Sequence, residues 1–159
     1  MSAAAAILFA MPAMSQSPSC EKTDSQVCTA SSCPLDLLSP EPGVDRSALP
    51  VLSTPSGLRY RVVREGSGKT PTPISNIKAH YEGRRLDGSL FDSSYQRGEP
   101  LSFPINKVIQ GWIEGLQLMK VGAVYEFYIP SQLAYGDRDL GVIAPNSDLL
   151  FKIELIAVE

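Results

Sequence analysis

From residue 57 onward, apolar and polar side chains alternate in short runs separated by glycine, proline and acidic residues. In LRYRVV (58–63), apolar and basic positions alternate, the signature of a half-buried strand. In IKAHYEGR (77–84), Ile77, Ala79, Tyr81 and Gly83 share one face, and Lys78, His80 and Glu82 share the other. The split follows from the extended backbone, whose successive side chains point to opposite sides. VYEFYI (124–129) sets Tyr125, Phe127 and Ile129 on one side, and DLLFKIELIAVE (148–159) does the same with Leu149, Phe151, Ile153 and Leu155. The period changes in VIQGWIEGLQLMK (108–120), where Ile109, Trp112, Ile113, Leu116 and Met119 recur at steps of three or four. That spacing predicts a helix, but Gly111 and Gly115 each weaken it by about 1 kcal/mol, so packing must hold it. Several antiparallel strands with one short helix predict an α+β fold.

Upstream of residue 57 neither period holds. Residues 16–56 are rich in Ser, Pro, Thr and Asp, and the six prolines from Pro18 to Pro55 exclude long helices. The expectation for 16–56 is a disordered or extended linker. The apolar run MSAAAAILFAMPAM (1–14) is shorter than the roughly 20 residues of a membrane span. It suits the apolar region of a secretory signal, with Ala13 and Ser15 as the small residues before a cleavage at Gln16. No Lys or Arg precedes the run, which departs from the usual signal. The chain therefore divides into a signal peptide (1–15), a linker (16–56) and a folded domain (57–159). A functioning signal implies a periplasmic or secreted protein, and a cytoplasmic one otherwise.

Composition narrows the chemistry. The 159 residues suffice for one domain with a full core, and 43 % apolar and 8 % aromatic content are ordinary for a soluble protein. A net charge of −3 without a long basic run argues against a nucleic-acid partner. Cys20, Cys28 and Cys33 cluster before the domain, and two could pair in an oxidising compartment. Zinc ligation is the sharper alternative, but C-x7-C-x4-C lacks a CxxC knuckle and the sole histidine is distant. No metal or cofactor is expected.

Three stretches invite a functional reading. GSGKT (66–70) lacks the glycine of a phosphate loop at Val63, and Pro71 and Pro73 forbid the helix that should follow. DRDLG (137–141) lacks the further acidic ligands of a calcium loop. HYEGRRLDGSLFDSS (80–94) offers His80, Asp92 and Ser93 or Ser94 as a hydrolytic set. His80 faces away from Tyr81 on the strand, and no G-x-S-x-G elbow occurs, so that reading is rejected. What remains is a series of aromatic and aliphatic residues beside turns: Phe91 and Asp92, Phe103, the Val108–Trp112 stretch, Tyr135 and Ile143. Apolar walls with a few placed polar groups are how binding pockets are built.

YEGRRLDGSLFDSS, VIQGWIEGLQLMKVG and AYGDRDLGVIAPNSDLLFKIELI, in this order and spacing, resemble the FKBP-type peptidyl-prolyl cis-trans isomerases, and GLRYRVVREGSGKTP resembles the first strand of bacterial members. The resemblance covers residues 57–159. It implies an FKBP-like antiparallel sheet of five to six strands wrapped around one short helix, with an apolar pocket for proline between them. Tyr81, Asp92 and Tyr135 would be the catalytic positions. Phe91, Phe103, Val108, Ile109, Trp112, Ile143 and Phe151 would bind substrate, with Trp112 as floor and the Ile109 N–H holding a peptide carbonyl. Leu101 departs from the pattern, standing where many members carry an aromatic residue, and the DRDLG loop tip is more charged than in eukaryotic prototypes. The implied function is isomerisation of X-Pro bonds in protein substrates, in a pocket that favours the twisted amide. The alternative is a chaperone module that holds proline segments with little turnover. Expected partners are X-Pro-containing polypeptides and the macrolide inhibitors of the family. No nucleic acid or stable membrane span is expected, and the proline-rich 16–56 predicts a monomer.

Overall fold

A computed structural model describes residues 33–159, so the expectations for 1–15, Cys20 and Cys28 lie outside the described residues. The alternating runs form antiparallel strands β1 (Val51–Ser53), β2 (Arg59–Arg64), β3 (Asn76–Arg85), β4 (Leu90–Ser93), β5 (Leu101–Pro104), β6 (Val124–Ile129) and β7 (Leu149–Val158). Two α-helices interrupt them, the single turn α1 (Ser94–Arg97) and α2 (Gln110–Leu116). The seven strands form one sheet in the order β1-β2-β6-β7-β3-β4, and β5 also pairs with β3. β4 and β5 share one edge of β3, β4 opposite Glu82–Arg84 and β5 opposite Asn76–Ala79. Apart from β1, this is the expected sheet of five to six strands. Among the described residues, no helix is long and apolar enough to cross a membrane.

The core lies between the inner face of this sheet and α2. Ile77, Ala79, Tyr81, Phe127, Ile129, Phe151 and Ile153 are buried there with Trp112 and Leu116. The two glycines that weaken α2 as a free helix are what bring it this close. A Cβ at Gly111 would stand 2.5 Å from Ile129 Cγ2, and one at Gly115 would stand 2.7 Å from the Phe127 ring. Intrinsic helicity is sacrificed for contact, and tertiary packing restores it.

The other face of the sheet is where the structure departs from the expectation. Residues 33–56 are not a disordered linker. Short 3₁₀ turns at Pro34–Leu37 and Arg46–Ala48, followed by β1, strap the chain across the outer face. Prolines exclude long helices but suit this architecture, since Pro34 opens its turn at a first-turn position where no N–H is needed. Leu35 and Leu38 are buried against Leu150. Arg46 Nη1 reaches Glu126 Oε1 at 2.6 Å and the Leu38 carbonyl at 3.1 Å. Arg61 Nη1 lies 3.2 Å from Glu126 Oε2 and 2.9 Å from Asp36 Oδ1. Lys152 Nζ meets Glu41 Oε2 at 2.8 Å, and the Ser39 N–H donates to Glu82 Oε1 at 3.0 Å. The charged residues of the alternation are thus covered by the strap. Burial pushes the Glu126 carboxyl above its ordinary range, and the charges of Arg46, Arg61 and Lys152 pull against it.

Two substitutions test this packing. Arg46→Ala leaves Glu126, 0 % exposed, with a depleted partner set, and chemical denaturation should register a loss of about 3–5 kcal/mol. Gly115→Ala gains helix propensity but drives a methyl into Phe127, so the net change should be a destabilisation of about 1–3 kcal/mol. A stabilised Gly115→Ala protein would show that α2 has room to move away from the sheet.

Candidate functional site

The inner face of the sheet packs against α2 near the middle of β3. Tyr81 points inward from β3, and Phe151 enters from β7 in register with Gly83. Phe91 comes from β4, where Asp92 is the residue that pairs with Gly83. Gly83 makes this convergence possible, because a Cβ there would lie 2.7 Å from the Phe91 ring and 2.8 Å from Phe151. The two rings meet edge to face at a centroid distance of 5.6 Å. Phe103 arrives from β5, which pairs with β3 at Ile77.

Trp112 sits on the first turn of α2 and is 6 % exposed. Its indole is ringed by Tyr81 at 5.3 Å, Phe103 at 5.4 Å and Phe151 at 5.2 Å between centroids. The contacts with Tyr81 and Phe151 are edge-on, the arrangement the ring quadrupole prefers. Trp112 Nε1 is buried and has no hydrogen-bond partner among the described residues. Val108 ends a 3₁₀ turn (Ile105–Lys107), and Ile109 is the N-cap of α2, its carbonyl accepting from the N–H of Trp112 at 3.0 Å. The Ile109 N–H meets no acceptor among the described residues. Val108, Ile109, Phe103 and Tyr135 pack partly buried on the same core, and Ile143 is buried with it.

The long loop after β6 is tied at both ends. Asp148 accepts from the Ser131 N–H at 2.8 Å and from the Tyr128 hydroxyl. At the tip, Arg85 Nη1 donates to the Val142 carbonyl at 3.0 Å, leaving the Val142 side chain 61 % exposed beside buried Ile143. Burial pushes the Tyr135 hydroxyl above its ordinary range, with the Asp92 charge adding to it. That hydroxyl makes no hydrogen bond among the described residues.

The polar corner contains a residue that sequence reasoning missed. The Tyr81 hydroxyl donates to Asp92 Oδ2 at 2.6 Å, and Arg97 Nη2 donates to the Tyr81 hydroxyl oxygen at 2.8 Å. Arg97 Nη1 also bonds Asp92 Oδ1, and the guanidinium lies 5.5 Å from the centre of the Tyr81 ring. Partial burial acts to raise the Asp92 carboxyl, but the bonds from Tyr81 and Arg97 win and hold it below its ordinary value. Burial, then the bond to Asp92, raises the Tyr81 hydroxyl. A signal was available in SSYQRG: a serine cap, one turn and a closing glycine place the last-turn Arg97 back beside Asp92. Ser93 accepts from the Gln96 N–H at 3.3 Å, and Gly98 closes the turn with φ 77°.

The rejected hydrolytic set needs a correction. His80 Nδ1 lies 2.9 Å from Ser94 Oγ, within hydrogen-bond reach. The strand-face argument fails here because Ser94 stands beyond the edge of β3, on α1, where the face assignment does not apply. Burial excludes the chemistry instead. Ser94 is 0 % exposed, and its oxygen already accepts from the Tyr81 N–H at 2.7 Å. Among the described residues, no group of three His, Cys, Asp or Glu could hold a metal ion.

Comparison with known proteins follows the same residues. Residues 67–156 match the family described as FKBP-type peptidyl-prolyl cis-trans isomerase. The chain is 50 % identical over 109 residues to the FKBP-type peptidyl-prolyl cis-trans isomerase FkpA of Aeromonas hydrophila, covering 69 % of this chain and 41 % of that protein. It is 50 % identical over 105 residues to the peptidyl-prolyl cis-trans isomerase Mip of Coxiella burnetii, covering 65 % of this chain and 46 % of that protein. The crystal structure of FkpA from Escherichia coli superposes with a TM-score of 0.67 at 44 % identity, over 69 % of this chain and 51 % of that one. The matched region thus spans about half the length of these relatives.

The polar corner makes a prediction about pH. A carboxyl held below its unfolded value stabilises the fold above that value, and the contribution is lost as the pH falls through the folded one. The stability difference between the parent and Asp92→Asn should therefore be constant at neutral pH and shrink once the pH drops below the ordinary value of 3.8. Both side chains of the ion pair are more than one-third exposed, so the difference should stay within about 1 kcal/mol. Denaturant titrations over a pH series would check it, and a difference that grows toward acid would contradict it.

Proposed function

The chain belongs to the FKBP-type peptidyl-prolyl cis-trans isomerase family, and we propose on that premise that its domain accelerates cis-trans isomerisation of X-Pro bonds in polypeptide substrates. The observation that carries this reading is the Trp112 floor, walled by the rings of Tyr81, Phe103 and Phe151. A buried indole N–H without a partner costs about 1–3 kcal/mol, a feature that packing for stability alone would avoid.

Rotation about an X-Pro bond faces an amide-resonance barrier of about 18–20 kcal/mol. The planar amide is more polar than the twisted one, because twisting interrupts the charge transfer from nitrogen to carbonyl. An apolar cavity that excludes water therefore raises the planar ground state more than the twisted state. Each ~1.4 kcal/mol of that difference is worth tenfold in rate. In this reading proline lies on Trp112 between Phe91, Phe103, Phe151 and Ile143, with Val108 at the mouth. The Ile109 N–H, which has no acceptor of its own, holds a peptide carbonyl. Tyr135 offers an uncommitted hydroxyl above the pocket. Asp92, kept ionised by Tyr81 and Arg97, supplies a fixed negative charge at the rim that favours the electron-poor carbon of the twisting carbonyl. No nucleophile or proton donor is needed.

The leader-like 1–15 supports an exported protein, periplasmic or secreted, acting on polypeptides that fold there. The strap across the outer sheet face supports a monomer, since residues 33–53 already cover that surface.

The test is isomerisation of a short X-Pro peptide by the purified full chain, beside an Asp92→Ala, Tyr135→Phe double variant. The parent should accelerate the reaction, the double variant should fall by about tenfold or more, and a family macrolide should inhibit the parent. A parent that binds the macrolide but gives no acceleration would move the function to holding proline segments without turnover.

A further inference from the structure

The edge of β3 is covered discontinuously. β4 pairs from Glu82 onward and β5 pairs up to Ala79, so His80 and Tyr81 lie in the gap between them. On the opposite edge both residues are matched by β7, at Glu154 and Ile153. In an antiparallel ladder, one residue's N–H and C=O address the same neighbour. Those of Tyr81 address the gap, where no strand meets them.

A side chain fills the vacancy. Ser94 Oγ accepts from the Tyr81 N–H at 2.7 Å and lies 3.2 Å from the Tyr81 carbonyl oxygen, with His80 Nδ1 at 2.9 Å. One hydroxyl has a single proton and two lone pairs. All the groups are satisfied in one arrangement only: Ser94 donates to the Tyr81 carbonyl and accepts from the Tyr81 N–H and from a proton on His80 Nδ1. The imidazole is held for this by stacking on Tyr95 at 4.7 Å between centroids. Tyr95 is the neighbour of Ser94 on α1 and donates to Glu154 Oε2 at 3.3 Å.

The same turn of helix reaches Tyr81 a second time. Arg97, at the other end of α1, donates to the Tyr81 hydroxyl oxygen at 2.8 Å. Both the backbone and the ring tip of Tyr81 are therefore held by one four-residue helix, and the ring so held is the edge-on neighbour of Trp112. On the isomerase reading, we infer that Ser94 is a positioning residue for catalysis. Its buried hydroxyl replaces the missing ladder partner of Tyr81 and docks α1, so that Tyr81, Asp92 and Arg97 present one geometry to the twisting amide. Ser94 touches no substrate.

The test compares the full-length parent, Ser94→Ala and Leu38→Ala, the last losing a buried leucine from the opposite face of the sheet. Each is assayed for X-Pro isomerisation at a temperature where it is folded, with the emission of Trp112, the only tryptophan of the chain, recorded alongside. Ser94→Ala should lose about tenfold in kcat, with KM changed far less, and its Trp112 emission should shift. Leu38→Ala, though destabilised, should keep both parental values. An active parent beside a Ser94→Ala protein within twofold of its kcat overturns the positioning role alone. An inactive parent overturns the isomerase reading and this inference with it. Should Ser94→Ala fail to fold, the nitrogen-15 spectrum of the parent with neutral imidazole decides. A His80 proton on Nδ1 supports the assignment, and a proton on Nε2 alone overturns it, because Ser94 would then donate to His80 and abandon the Tyr81 carbonyl.

Discussion

The site depends on how closely backbone and rings can approach where three side chains are missing. At Gly83 the space a Cβ would take is occupied by the edges of Phe91 and Phe151, and at Gly111 and Gly115 it is occupied by Ile129 and Phe127. The first glycine lets strands β3, β4 and β7 bring their aromatic residues to one point. The other two let α2 settle low enough for Trp112 to meet the rings of Tyr81, Phe103 and Phe151. A side chain at Gly83 would push into the Phe91 and Phe151 rings, and one at Gly111 or Gly115 would lift α2 from the sheet. The glycines cost helix propensity and backbone entropy, and the buried aromatic contacts offset that cost.

The two faces of the sheet solve different problems with the same alternation. Inward positions supply an aromatic cluster with few polar groups, of which Tyr81 is held by Asp92 and Arg97 while Trp112 Nε1 has no partner among the described residues. Outward positions carry Arg61, Glu82, Glu126 and Lys152, which would be expected to face water. Instead the strap formed by residues 33–53 covers them and supplies the counter-charges Asp36, Glu41 and Arg46. Because Tyr81 and Glu82, or Phe151 and Lys152, are adjacent in the chain, the outer network and the inner pocket are two sides of the same strands.

Tyr81 links the levels of the structure. Its face on β3 follows from period two, its backbone is held by Ser94 and its hydroxyl by Asp92 and Arg97. On the proposed isomerase reading such restraint matters, since favouring a twisted amide over a planar one requires groups that do not follow the substrate as it rotates.

Much of this was legible locally. Inward and outward residues of β3, β6 and β7 could be read directly, because side-chain direction along a strand is a property of the strand itself. The short helix was legible from its apolar spacing, and the resemblance carried by the motifs singled out side chains that the fold packs around Trp112. What the linear pattern left open was which surface each face would meet. Alternation marks Glu126 and Lys152 as outward, but their burial depends on a segment more than 70 residues upstream folding back over them. Prolines read as linker for the same reason: composition excludes a long helix without revealing that Leu35 and Leu38 have a sheet to lie on. The Ser94–His80 contact and the Arg97 clamp were equally beyond a strand-face argument, since both cross the edge of β3 from a helix one turn long. Local periodicity determines the direction of a side chain, and only tertiary structure determines what stands in that direction.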